Sequence, residues 1–121
     1  MCRLFGMNAG TRTVRATYWL KQAPDSVEAQ SLRNPDGAGI GWFDAEGQPE
    51  LHKEPNAAFS DSAFGADADE IRSRTLITHI RAATTGHNSV ENTHPFLIEN
   101  RLMAHNGGFG DLPAIEAELG Y

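Results

Sequence analysis

The chain has 121 residues, enough for one domain and too few for two. Its 10 Lys and Arg stand against 16 Asp and Glu, a formal charge of −6, and 40% apolar with 21% charged residues is a globular composition that excludes whole-chain disorder. Scattered basic residues and a sequence pI near 5.2 argue against nucleic acid as partner, and the longest apolar runs, such as Ala38–Phe43, are far short of a membrane span.

The amino terminus, MCRLFGM, has no apolar stretch of the kind a secretory signal carries, so a cytoplasmic location is expected. Cys2 is the single cysteine; it can form neither an intramolecular disulfide nor a Cys-rich zinc site. Alternation over Cys2 to Asn8 predicts a strand. Thr13 to Leu20, rich in β-branched and aromatic residues, predicts a second, with helix as the alternative. Pro24-Asp25-Ser26 marks a helix start leading into Val27 to Leu32, and Asn34-Pro35-Asp36-Gly37 stops it. Ala38 to Phe43 and Pro49 to Lys53 form a hairpin about Asp44-Ala45-Glu46-Gly47. A helix is expected over Ser60 to Ser73, capped by Ser60 or Asp61, then a strand over Thr75 to Arg81. Phe96 to Ile98 and Leu102 to Asn106 make a second hairpin, with Asn100 suited to the positive φ of its turn. A closing helix, Leu112 to Leu119, has Asp111 as cap, Pro113 in its first turn and Gly120 after its end. Hairpins separated by helices indicate an α+β fold with antiparallel sheets in one domain over residues 1–121.

Three places carry chemistry. Removal of Met1 would expose at Cys2 a thiol and an α-amine on one residue, and that amine can accept the thiol proton without a separate His or Asp. An incidental or buried cysteine is the plain alternative. In THIRAATTGHNSVENTHPF, Arg81 ends a strand and can present a guanidinium fork to a carboxylate, with Thr84 and Gly86 in the turn that follows. A surface Arg beside a solvated loop is the competing reading. In MAHNGGF, the Asn106 amide and the Gly107 backbone N–H make a pair of donors suited to an oxyanion, where an ordinary Asn-Gly turn is the alternative.

Taken together and in order, MCRLFG, NPDGAGIGWF, HIRAATTGHNSVENTHPF and MAHNGGF resemble the class II glutamine amidotransferases, N-terminal nucleophile hydrolases that begin at a cysteine. The likeness spans Met1 to Phe109. The stand-alone members look most similar, including the γ-glutamyl hydrolases of ergothioneine synthesis and glutathione breakdown. By resemblance, Cys2 is the nucleophile, Asn106 and Gly107 the oxyanion hole, and Arg81 with Thr84 the binder of the substrate α-carboxylate. Asp36 and Gly37 fall in a loop lining the nucleophile, with Arg33 near it, and His94 is a structural hydrogen-bonding residue. The implied reaction is hydrolysis of glutamine or another γ-glutamyl amide through a γ-glutamyl thioester, releasing ammonia or an amine. No cofactor, metal, nucleic acid or membrane is called for; an ammonia-accepting protein or a complementing chain is the expected kind of protein partner.

The family fold is a four-layer αββα sandwich from a longer chain, and the family's carboxylate for the substrate α-amine lies beyond the helix that follows the Asn-Gly pair. Asp111 comes too early to be that residue. The sequence is therefore read as the N-terminal portion of such a domain, truncated at its C-terminus. Two other classes stand against the enzyme reading. His79, His87, His94 and His105 with Asp36 could be offered as a metal site, although no two His have the i, i+4 spacing of a zinc-protease helix. A non-catalytic subunit or binding fragment, completed by a second chain, is the main rival.

Overall fold

The alternation that predicts strands also sorts their side chains, and the computed structural model, which describes residues 1–121, shows where each set goes. The elements are β1 (Arg3–Asn8), β2 (Val14–Arg15), a π-helical turn (Tyr18–Gln22), α1 (Val27–Ser31), β3 (Ala38–Phe43) and β4 (Pro49–Glu54). A 3-10 turn (Ala58–Ser60), α2 (Ser62–Glu70), β5 (Arg72–Ser73), β6 (Thr75–Ile80), β7 (Phe96–Ile98), β8 (Arg101–Met103) and α3 (Leu112–Leu119) follow. Four strands form an antiparallel sheet in the order β1-β6-β3-β4, while β2 pairs with β5 and β7 with β8.

Register assigns the faces. Phe5 and Ile40 both pair with Thr78, so Phe5, Met7, Ala38, Ile40, Trp42, Leu76, Thr78 and Ile80 share one side. On that side α1, α2 and the two short helical turns bring Leu20, Val27, Ala58, Phe64 and Ala68, closing a core of 11 buried residues. Phe64, Leu20 and Ile40 are fully buried within it. The Ser26 hydroxyl caps α1 by accepting from Ala29 N at 3.1 Å, and the Asp61 carboxylate caps α2 by accepting from Ala63 N at 2.9 Å.

The opposite side carries Leu4, Gly6, Gly39, Gly41, Ile77 and His79. Here the glycines are a packing device. A Cβ on Gly39 would overlap the His94 carbonyl oxygen, and one on Gly41 would lie 2.9 Å from a Leu102 methyl, so the segment before β7 and the β7–β8 hairpin sit directly on β3. Helices, sheet and hairpin thus form successive α, β and β layers. Leu4 remains 46% exposed, and α3 buries none of its residues.

Several expected elements differ. Thr13 to Leu20 is not one strand: only Val14–Arg15 pairs, and the chain then coils into the π-helical turn, so the helical alternative holds for its second half. The helix expected through Ser73 stops at Glu70, because Arg72–Ser73 pairs with β2 and the Ile71 carbonyl accepts from Ala16 N. In the second hairpin the paired residues are Arg101–Met103 rather than Leu102 to Asn106, and Glu99 takes the positive φ of 53° assigned to Asn100. Asp111 has φ 53° and makes no side-chain cap, whereas Gly120 ends α3 at φ 83° as expected. No helix is long and apolar enough to cross a membrane.

Candidate active site

Strand parity places the candidate residues. Cys2 precedes Arg3, which pairs with Ile80, so Cys2 lies beside Arg81 just past the end of the β1–β6 ladder, on the face that carries His79. There the sulfur accepts from Ala82 N at 3.4 Å and lies 3.6 Å from Ala82 O. From the far side the Asn106 Nδ2 donates to the Cys2 carbonyl at 3.0 Å. Residues 104 apart in sequence are thereby joined. Cys2, Arg81, Thr84 and Gly107 all line one open groove of about 390 Å³.

Arg81 is 7% exposed, and its guanidinium is turned toward the loop that follows it. Nη1 donates to His87 O and Asn88 Oδ1, both at 3.0 Å, and Nη2 donates to Thr85 O at 2.7 Å. The fork that the sequence offers to a carboxylate is partly engaged: it organises the loop, leaving Nε–H and one Nη2–H unassigned. Asp36 and Gly37 do not line the groove. Asp36 stands behind it, its carboxylate accepting from Ala83 N at 2.8 Å and from Asn88 Nδ2 at 3.3 Å. Gly37 accepts from Arg81 N at 2.8 Å, and its φ of 143° with Thr93 close by excludes a side chain. Arg33 is exposed at the end of the helical segment.

The floor of the groove holds three imidazoles, of which the sequence places His79 and His105 only as metal candidates and His94 also, by resemblance, as a structural hydrogen-bonding residue. His79 stacks on His94 with centroids 4.2 Å apart, and His94 meets His105 at 4.5 Å. The His94 Nδ1 accepts from His105 N at 3.3 Å. Both ring nitrogens of His79 are buried with no partner in the protein. Burial, joined by the neighbouring His94 and His105, pushes the His79 pKa down to about 4; burial followed by His105, Lys53 and Arg81 does the same to His94, also to about 4. These rings face one another rather than a common centre, and no group of three or more His, Cys, Asp or Glu has metal-holding geometry. His87 and Asp36 are not part of this stack. The groove wall is completed by Phe96, Phe109 and Leu112, and its lining includes no carboxylate. Strand parity alone could have found His79, two residues before Arg81 on the same face. The hairpin that brings His94 and His105 over it has no such local signal.

The sequence profile for glutamine amidotransferases class-II matches residues 1–119. A Haemophilus influenzae protein provisionally named a glutamine amidotransferase is 35% identical over 119 residues, which cover 93% of this chain and 39% of that protein. The gamma-glutamyl-hercynylcysteine sulfoxide hydrolase of Mycobacterium tuberculosis is 35% identical over 117 residues, 88% of this chain and 49% of its own. In fold, the chain matches a glutamine aminotransferase class-II domain protein from Silicibacter pomeroyi with a TM-score of 0.58 at 24% identity, over 96% of this chain and 42% of that one. The chain spans about two fifths to one half of the length of these relatives.

Proposed function

The chain belongs to the class II glutamine amidotransferase family, and from that premise we propose that it carries the nucleophile half of a γ-glutamyl amide hydrolase acting through Cys2. The observation that carries the reading is the convergence of Cys2, Arg81, Thr84 and Gly107 on one groove, with Asn106 bonded to the Cys2 carbonyl.

In this mechanism Met1 is removed first, and the freed α-amine of Cys2 takes the thiol proton. The thiolate attacks the γ-carbonyl carbon of glutamine or a γ-glutamyl compound; the carbonyl π electrons move to oxygen, and the Asn106 Nδ2–H and Gly107 N–H donate to that oxyanion. Collapse expels ammonia or an amine, which takes the proton held by the α-amine. Water then adds to the γ-glutamyl thioester, and the thiol departs with glutamate or its analogue as product. Arg81, through the donors its loop leaves unassigned, and Thr84 through its hydroxyl hold the substrate α-carboxylate. Asp36 and Gly37 keep that loop in place. An ammonia-accepting protein partner and a cytoplasmic setting accompany this reading.

The test is intact mass before and after incubation with a glutamine-like diazoketone, together with glutaminase and γ-glutamyl amide assays. Loss of Met1 and a single adduct on Cys2 are expected, with turnover abolished by Cys2→Ala and largely lost in Cys2→Ser. Full turnover in Cys2→Ala would overturn the proposal.

A further inference from the structure

The three adjoining imidazoles on the groove floor have a direct line to the proposed oxyanion donors. His94 is fixed from three directions. Its carbonyl lies on Gly39, where any Cβ would overlap it; the preceding Thr93 carbonyl accepts from Lys53 Nζ at 2.9 Å; and the Thr93 hydroxyl donates to Ser89 O at 2.7 Å. The His94 ring is then held between those of His79 and His105. From this fixed place Nδ1 accepts the backbone N–H of His105, the residue immediately before Asn106 and Gly107. An unprotonated Nδ1 is required for that bond, so the ring must be neutral and carry its one proton on Nε2.

Resting on the γ-glutamyl hydrolase reading, we infer that His94 is a positioning residue of the reaction: its Nδ1 holds the backbone at His105 so that the Asn106 amide and the Gly107 N–H point at the oxyanion. The residue touches no reacting atom. Its effect belongs to the transition state, because the donors it aims act where charge develops rather than where substrate is held. A misplacement of such donors costs turnover more than binding. The charged and titratable groups facing His94 are His79 and Arg81 from β6 and its end, Lys53 from β4, and His105 from the segment after β8; no carboxylate is among them. Nothing in this surround favours the cationic ring that would displace the His105 N–H.

The experiment compares His94→Phe, which keeps an aromatic ring between His79 and His105 but has no acceptor, with His94→Asn, whose Oδ1 falls near the place of Nδ1. Two quantities are read: steady-state kcat and KM, and the hydrogen-exchange rate of the His105 amide by NMR. His94→Phe is expected to lower kcat by about 10- to 100-fold, with KM within about 3-fold, and to raise His105 exchange by about 10-fold or more. His94→Asn is expected to recover a large part of both. Should His94→Phe not fold, His94→Gln, which displaces the acceptor by one methylene, takes its place with the same expected losses. Turnover within about 2-fold of the unsubstituted protein in His94→Phe, unchanged exchange at His105, or an Asn variant no better than Phe would each overturn the inference. If the unsubstituted protein shows neither turnover nor a diazoketone adduct on Cys2, the hydrolase reading fails, and the exchange comparison still decides whether His94 sets the backbone at His105.

Discussion

Asn106 donates through Nδ2 to the carbonyl of Cys2, and the proposed mechanism assigns the same amide to the oxyanion. Asn106→Ala should therefore lower kcat by about 10²- to 10³-fold, measured beside Tm to show that the fold survives. Arg81→Lys is expected to raise KM more than it lowers kcat, and also to loosen residues 82–88, because lysine cannot donate to Thr85, His87 and Asn88 together. The buried imidazoles add a pH dependence of stability. At neutral pH His79 and His94 are uncharged in the folded chain and mostly uncharged in the unfolded one. Below about pH 6.5 the unfolded rings take up protons, while the folded rings resist until about 4, so stability is lost across that interval. Denaturant titrations should show unfolding free energy falling by at least about 1 kcal/mol between pH 6.5 and 4.5, and the fall should shrink in His79→Phe. At this scale the sequence singled out Cys2, Arg81, Thr84, Asn106 and Gly107 as candidates, because each sits in a short motif whose residue types suit a stated chemistry, and the fold brings them near one another. The hydrogen-bonding role of His94 came by resemblance, but the stacking of His79, His94 and His105 was hidden, since it lies in ring-to-ring contacts between segments distant along the chain.

At the scale of elements, caps and glycines do most of the placing. Asp61 accepts from Ala63 N at the start of α2 and from His52, whose other ring nitrogen lies 3.2 Å from Asp67. Although burial alone would raise its pKa, the His52 hydrogen bond holds the Asp61 carboxyl below the usual carboxylate range. Asp61→Ala should cost about 1–2 kcal/mol in denaturant unfolding, the upper part of the range for a lost cap, because the tie to β4 goes with it. Gly39→Ala is expected to be worse than this and to displace the His94 segment, visible as lost protection at His94 and His105 in hydrogen exchange. The helix start at Ser26 and the β3–β4 hairpin were legible because capping and turn chemistry are local. Thr13 to Leu20 and the end of α2 were not, since both are decided by pairing between β2 and β5, a contact no window of sequence contains.

For the molecule as a whole, one sheet divides a closed side from an open one. The central strand β6 is paired along both edges and buried against the core, whereas α3 buries no residue. Native-state hydrogen exchange should accordingly be slowest at β6 and fastest in α3, and a reversal of that order would contradict the core described above. The α+β class and the antiparallel pairing were readable from hairpin signals; the stacking of the second hairpin on β3 followed only from the close approach that Gly39 and Gly41 permit. The position of Cys2, one residue ahead of β1 and at the rim of the groove, also governs how the protein can be handled. An affinity tag fused ahead of Met1 would keep the Cys2 nitrogen in an amide, where it could not take the proton that the proposed mechanism assigns to it. The Asp44–Gly47 turn lies at the other end of β3, about 17 Å of strand away. Dyes, surface anchors or purification handles belong there, leaving Cys2 free for the processing that the proposed mechanism requires.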